Sequence, residues 1–288
     1  MIREFFLAVL VLFVSSSLLV AATVDVRMLR SVDLGATPRQ ITSTADGRRI
    51  YVLTEQGDVR LYSADGQYRG TFEAGPDVTG ITPQGANRLI LEMTELRQML
   101  LVALEPVVQI STAGAPTLGP DDAPVTIVIF DDFECPYCAK IVPLLKEVLA
   151  AYPDQVKLVY KNFPLRMHKN ARIAAVAGLA AAQQGKFWLL HDLMFANYKK
   201  LSEQKITQLA EEAGLDMEKF AKARNNPQLR QQVNAELQEG QKIGVRGTPT
   251  IFVNGRRLPQ RSKAAFDQLI RAELARKKVS ATRGETAR

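Results

Sequence analysis

The stretch VTIVIFDDFECPYCAKIVP, residues 125–143, determines how this chain folds. Its first six residues, Val125–Phe130, are all apolar or β-branched, which is typical of a central strand buried on both faces. A helical pattern begins after them at the sequence CPYC, residues 135–138. A cysteine at a helix start faces unpaired backbone N–H groups and the positive end of the helix dipole, and both stabilise a thiolate. We therefore expect an exposed, acidic Cys135, with Cys138 one turn inside and close enough to form a disulfide with it.

A second motif, GTPTIFVNG at Gly247–Gly255, lies more than a hundred residues after the cysteines. The residues between the two motifs include NFPL at 162–165, an Ala-rich helix and QGKFW at 184–188. Together these features resemble the DsbA-like branch of the thioredoxin superfamily of thiol–disulfide oxidoreductases. The resemblance covers about residues 118–274. It implies a thioredoxin fold with a helical subdomain inserted at about residues 165–244.

The resemblance also implies a mechanism and the residues that carry it. Cys135 is the nucleophile and Cys138 the resolving thiol, so the Cys135–Cys138 disulfide replaces a cofactor and no metal is needed. Pro136 and Tyr137 tune the reactivity of the pair. A cis peptide bond between Thr248 and Pro249 faces the cysteines and presents a backbone edge to an extended substrate segment. The implied partners are cysteine-containing protein substrates and a membrane redox partner.

Two features depart from the family pattern. The buried acid that many relatives have six residues before the first cysteine is replaced here by Ile129, and whether Asp131, Asp132 or Glu134 substitutes for it stays open. The dipeptide between the cysteines is Pro-Tyr, the glutaredoxin pair, where DsbA has Pro-His. Because tyrosine is neutral, we expect a less acidic first cysteine than in a Pro-His enzyme.

The histidines and aromatic residues have simpler interpretations. A zinc site completed by His168 and His191 is disfavoured, because zinc fingers use closely spaced histidines and these are 23 residues apart. His168 is interpreted as a structural histidine. Phe187 and Trp188 are interpreted as core residues, with a peptide groove as the alternative for Trp188.

The N-terminal stretch predicts export. Residues 1–22 combine Arg3, an apolar run and the small-residue sequence Val20-Ala21-Ala22, as in a cleaved signal peptide, and an uncleaved anchor is the alternative. Either outcome predicts a periplasmic or otherwise extracytoplasmic protein, where disulfides persist. The net charge of +7 is partly concentrated in a basic tail at residues 276–288. No aromatic residues interleave these charges, so nucleic-acid binding is not expected.

Residues 23–111 predict an all-β module that resembles propeller blades. Short alternating runs are separated by Asp-Gly and Gly turns, and the pattern returns after about 40 residues. This predicts about two four-stranded blades, preceded by one extra strand at Arg27–Leu34. Two blades cannot close a ring, so we hypothesise a homo-oligomer through residues 24–111.

The remaining domain boundaries follow from composition. Residues 112–124 are rich in Pro, Gly, Ala and Thr and predict a linker, and residues 125–275 form the DsbA-like domain. The predicted function is dithiol–disulfide exchange on protein substrates, with the oxidase direction favoured. One alternative is a disulfide isomerase or reductase held together by its blades. Another is a partner-binding module with a vestigial or metal-binding CxxC.

Overall fold

The computed structural model describes residues 25–286, and side chains up to Lys277. The predicted export signal, residues 1–22, lies outside this range. The chain divides into two compact units, residues 1–104 and 105–288, which are described separately below.

The first unit contains two antiparallel sheets. The sheet order is β1-β2-β3-β4 in one and β5-β6-β7 in the other. Their strands are β1 Pro38–Ser43, β2 Arg49–Thr54, β3 Asp58–Ser63, β4 Tyr68–Glu73, β5 Gly80–Pro83, β6 Arg88–Met93 and β7 Gln98–Ala103. One apolar cluster is shared between the sheets: Tyr51, Leu53, Val59, Val78, Ile81, Leu89 and Leu91. The predicted glycine turns are present, and Gly57 has a positive φ of 84° and a position where any Cβ would clash with the Gly75 carbonyl, so both its conformation and its surroundings require glycine.

The prediction for this unit was wrong in two details. The second sheet has three strands where four were expected, and Arg27–Leu34 forms no strand. That segment runs beside the β3–β4 hairpin, where Arg30 donates to the Asp65 carbonyl (2.9 Å) and Arg60 donates to the Leu34 carbonyl. The alternating pattern predicts strand propensity, but a strand also needs an edge with which to pair. The described residues of this unit contain two antiparallel sheets and no closed propeller.

The second unit is built on a five-stranded sheet with the order β12-β11-β9-β10-β8. Its strands are β8 Thr117–Leu118, β9 Val125–Asp131, β10 Val156–Asn162, β11 Thr250–Val253 and β12 Arg256–Arg257. Strand β9 lies in the centre, parallel to β10 and antiparallel to β11, as its uninterrupted apolar sequence predicts. Strand β8 falls within residues 112–124, so the stretch predicted as a linker contributes an edge strand of this sheet.

Seven α-helices accompany this sheet. They are α1 Pro136–Ala151, α2 Ala171–Ala182, α3 Phe187–Ala196, α4 Glu203–Glu212, α5 Met217–Asn225, α6 Pro227–Lys242 and α7 Lys263–Thr286. Helices α2–α6 occupy the predicted insertion at about 165–244. The starts of the last three are fixed by side chains, since Ser202, Asp216 and Asn226 each accept a backbone N–H of the first turn of α4, α5 and α6 respectively. Helix α7 continues past residue 276, so the predicted basic tail begins inside a helix.

The start of the second unit is anchored to its own sheet. The Val108 N–H donates to the Gly255 carbonyl (2.9 Å), and Val108 and Ile110 pack against a cluster that includes Phe130. The buried Lys161 ammonium binds the Ser111 carbonyl (2.9 Å) and lies between two carboxylates, at 3.0 Å from Glu239 and 4.0 Å from Glu236. Residues 105–118 are therefore part of the α/β domain.

Candidate active site

The two cysteines lie at the start of α1, immediately after the central strand. Cys135 is the N-cap residue in an extended conformation, and Pro136 occupies the first helical position, where its missing N–H costs no hydrogen bond. Cys138 faces the core one turn later and is fully buried. Both thiols are free in this structure. Tyr137 is 61% exposed between them, so its side chain belongs to the rim of the site.

Cys135 is less exposed than its helix-start position predicted, with 3% of its surface accessible. Its pKa is nevertheless lowered to about 5. The largest cause is the hydrogen bond from the Cys138 thiol, followed by the Thr248 hydroxyl and by the backbone N–H groups of Cys138 and Tyr137, while burial acts in the opposite direction. These donors converge on one sulfur atom and stabilise it as a thiolate.

Cys138 has the opposite character. Burial raises its pKa far above the ordinary value, and the neighbouring Cys135 and Asp131 act in the same direction. One member of the pair is therefore a thiolate at neutral pH, while the other keeps its proton. Cys135 is therefore the sulfur with the chemical character of a nucleophile or leaving group, whereas Cys138 loses its proton only to a base.

The Thr248–Pro249 motif lies against this pair. The peptide bond between the two residues is cis, as the resemblance implies, and the Thr248 carbonyl is 3.5 Å from the Cys135 sulfur. The Thr248 hydroxyl is buried without a hydrogen-bond partner among the described residues, and its proximity lowers the pKa of both cysteines. Thr248 thus places its carbonyl beside the Cys135 sulfur.

Asp131, the last residue of β9, is the buried acid of this site. Its side chain is fully enclosed, and burial raises its pKa to about 8. The nearby Cys138 thiol lowers that pKa, while the charge of Cys135 raises it. Asp131 Oδ2 has no N–H or O–H partner in the part of the chain that the structure describes. A carboxyl group with a pKa near neutrality beside a thiol is suited to exchange a proton with it.

The other two acids of the DDFE sequence are structural. Asp132 accepts hydrogen bonds from the backbone N–H groups of Leu165 (2.7 Å) and Glu134 (2.8 Å), and its Oδ2 lies 2.9 Å from His168 Nδ1. Glu134 accepts two bonds from Asn170, the residue that precedes α2. These contacts fix the start of the helical insertion beside the cysteines. They also assign His168 the structural role that the sequence predicted.

His191 belongs to an aromatic cluster under the site. It packs edge-on against Phe133 and Phe195, and burial lowers its pKa. Trp188 joins the same cluster and donates its indole N–H to the Thr117 carbonyl (2.9 Å). Among residues 25–286 no group of three or more His, Cys, Asp or Glu side chains has the arrangement of a metal site.

Sequence reasoning identified the cysteines and the Thr-Pro motif, but it left the acid unassigned. The family pattern points to position 129, whereas the carboxyl group comes from Asp131, two residues along the same strand. Side chains two apart on a strand share a face, and Ile129 and Asp131 both lie in the core. That periodicity favours Asp131 over Asp132, and it is the signal that could have resolved the choice.

A dithiol of unequal acidity at a helix start, facing a cis-proline and backed by a buried carboxyl, is the site of a thioredoxin-fold oxidoreductase. The profile of the thioredoxin family matches residues 111–272, more than half of the chain. The chain belongs to this family. The probable disulfide bond formation protein D of Bacillus cereus is 36% identical over 154 residues, which cover 48% of this chain and 69% of that protein.

Solved structures agree with this assignment. Oxidised BdbD from Bacillus subtilis matches with a TM-score of 0.51 and 26% identity, over 58% of this chain and 96% of that one. A thioredoxin-like oxidoreductase from Silicibacter pomeroyi matches with a TM-score of 0.50 and 30% identity, over 57% and 94% of the two chains. The family match and these relatives identify the domain as that of a thiol–disulfide oxidoreductase.

A different kind of relative matches over a similar length. The Na(+)/H(+) antiporter NhaA 3 of Salinispora tropica is 39% identical over 140 residues, which are 48% of this chain and 21% of the antiporter. The chain thus spans about a fifth of the length of this relative. Within residues 25–286, no helix has both the length and the apolar character needed to cross a bilayer.

Proposed function

We propose that this protein exchanges disulfides with cysteine-containing protein substrates, using Cys135 and Cys138, and that it acts chiefly as an oxidase. The observation that carries the proposal is the opposite acidity of the two thiols, with the pKa of Cys135 lowered to about 5 and that of Cys138 strongly raised. Thiols of low pKa leave readily in thiol–disulfide exchange. A Cys135 of this kind is released easily from a mixed disulfide, which favours passing a disulfide on to the substrate.

The oxidase reaction proceeds through one mixed disulfide. A substrate thiolate attacks Cys135 of the Cys135–Cys138 disulfide, so a new S–S bond forms to Cys135 and the old one breaks. Cys138 leaves with the electron pair and takes a proton from the neutral Asp131 carboxyl. A second substrate thiolate then attacks the substrate sulfur and releases Cys135 as a thiolate. The substrate has lost two electrons and now holds a disulfide, and the enzyme has gained them and now holds a dithiol.

The backbone at Thr248 and Pro249 supplies the place for the substrate. The Thr248 carbonyl is beside the Cys135 sulfur, and an extended segment that pairs with this edge brings its cysteine to the same point. Exposed Tyr137 borders that point from the helix side. We assign Pro136 and Tyr137 to tuning and rim contacts, and Thr248 and Pro249 to substrate positioning.

The proposed location is extracytoplasmic, and the proposed redox partner is a membrane protein that reoxidises the dithiol. Two considerations support the location: the signal-like composition of residues 1–22, and a chemistry that needs an oxidising compartment. A disulfide isomerase is the second candidate function. It is favoured by Thr248 before the cis-proline, and it depends on an oligomer formed through residues 24–111.

Trapping tests the exchange chemistry directly. Cys138→Ala removes the resolving thiol, so substrates of an extracytoplasmic extract should accumulate on Cys135 as mixed disulfides on non-reducing gels. Cys135→Ala is the matched control and should trap none. A folded Cys138→Ala protein that traps no substrate would overturn the proposal and favour the binding-module alternative. The equilibrium constant of the pair with glutathione then distinguishes an oxidase from a reductase.

A further inference from the structure

Strand β7 of the first unit is an unprotected sheet edge. It is the outer strand of the three-stranded sheet, and its sequence, QMLLVA, contains neither a charged residue nor a proline. Met99, Leu100 and Leu101 are 72%, 45% and 62% exposed, so apolar side chains project from both of its faces. Exposed edges of soluble proteins are usually short, charged, interrupted or covered, because their free N–H and C=O groups pair with other strands. A six-residue apolar edge indicates a surface that another strand covers.

The internal repeat shows which strand is missing at that edge. Strands β3 and β7 begin at Asp58 and Gln98, one repeat of 40 residues apart. The neighbour of β3 is β4, and one repeat after β4 the chain reaches residues 108–113. These residues belong to the second unit, where Val108 bonds Gly255 and Ser111 bonds Lys161. The segment that the repeat would place beside β7 is therefore bound elsewhere.

The same repeat identifies a donor. One repeat before β4, the chain passes through residues 28–33, which have no strand partner in the described structure. Met28 and Leu29 are 81% and 82% exposed, and Val26 is 85% exposed. Arg30 is bonded to the β3–β4 turn, so this segment lies against the first sheet and does not pair with β7. Each chain thus carries an extended segment with exposed apolar residues and no strand partner, and an unpaired apolar edge.

We propose that residues 28–33 of one chain pair with β7 of a second copy and complete its sheet as the fourth strand. The contact is head-to-tail, since the donor and acceptor surfaces are different, and such contacts close into rings when the rotation between copies permits. Rings of four to eight four-stranded sheets need two to four chains. The proposed oligomer does not depend on the redox chemistry. The isomerase alternative, in contrast, requires this oligomer.

Sedimentation velocity of the purified chain at micromolar concentrations tests the assembly. We expect a closed oligomer of two to four chains. Leu101→Lys places on the acceptor edge the residue type with which natural edge strands block pairing, so this variant should sediment as a monomer. Leu189→Lys makes the same exchange at a leucine of the second unit that is 51% exposed, and it should leave the oligomer intact. Both variants should keep wild-type thiol exchange, which shows that they fold.

A mixing experiment tests the head-to-tail geometry. The double variant Met28→Asp/Leu29→Asp impairs the donor, leaves β7 intact and should be monomeric alone. Mixed with Leu101→Lys, it should form a dimer and nothing larger, because only one intact donor can meet one intact acceptor. Pairing of two β7 edges would instead let the double variant dimerise on its own and would exclude Leu101→Lys from the dimer, and that result would overturn the proposal. A monomeric wild-type chain, or an oligomer unaffected by either variant, would overturn it as well, whatever the outcome of substrate trapping.

Discussion

Replacing Asp131 with asparagine removes the buried carboxyl group, so the variant tests separately how this group affects stability and how it takes part in proton transfer. In the folded protein the pKa of Asp131 is about 8, because of burial, whereas an aspartate in an unfolded chain titrates near 3.9. Between these values the folded state holds a proton that the unfolded state has lost. The stability contributed by this proton is complete below about pH 4 and declines as the pH rises to about 8.

The size of the effect follows from the linkage relation. From pH 4 to pH 7 the folded state binds about one proton more than the unfolded state, and each pH unit then corresponds to about 1.4 kcal/mol. The free energy of unfolding of the wild type therefore falls by about 4 kcal/mol over this interval through Asp131, and that of Asp131→Asn does not. The free energy of unfolding of the variant should therefore rise relative to wild type across this interval. Trp188 is the only tryptophan of the chain and lies in the second unit, so its fluorescence in urea titrations reports the unfolding of this domain.

The same variant should be slow in its chemistry. Without the carboxyl no base accepts the Cys138 proton, and resolution of a mixed disulfide on Cys135 should slow by about 10²-fold or more, as for other lost proton-transfer groups. Asp132→Asn is the control, because Asp132 holds the backbone N–H groups of Leu165 and Glu134. It should lose about 1–3 kcal/mol of stability. A difference in the free energy of unfolding between Asp131→Asn and wild type that stays constant from pH 4 to pH 7 would refute the reasoning.

Two further predictions concern the thiolate and the buried ion cluster. The rate of alkylation of Cys135 in the reduced protein should rise with pH with a midpoint near pH 5. Thr248→Val should move this midpoint upward by about one pH unit or more, because a hydrogen bond to a charged group contributes about 1.5–3 kcal/mol. An unchanged midpoint would show that Thr248 does not affect the pKa of Cys135. Lys161→Met leaves the buried Glu236 and the half-buried Glu239 uncompensated and should cost about 3–5 kcal/mol in urea unfolding, whereas Lys146→Met breaks an exposed pair with Asp192 and should cost about 1 kcal/mol or less. Equal losses in the two lysine variants would show that the Lys161 cluster is not desolvated.

The sequence by itself determined those features that depend on short-range physics. An uninterrupted apolar run predicts a central strand, and β9 is one; a proline after Cys135 predicts a helix start, and α1 begins there. The starts of α4, α5 and α6 lie at Ser202, Asp216 and Pro227, residue types that favour a helix start in any sequence, since an N-cap side chain or an N1 proline acts within one turn.

Tertiary structure alone decided the features that depend on which segments, distant in the sequence, face each other in the fold. The identity of the buried acid beside the thiol depended on which of three neighbouring carboxylates faces Cys138, and that group is Asp131, whose pKa burial raises to about 8. The segment Arg27–Leu34 has the composition of a strand but no edge within reach, and residues 117–118 have the composition of a linker but pair with β10. A strand exists only where two segments meet, so local pattern predicts its propensity and the packed fold decides its partner.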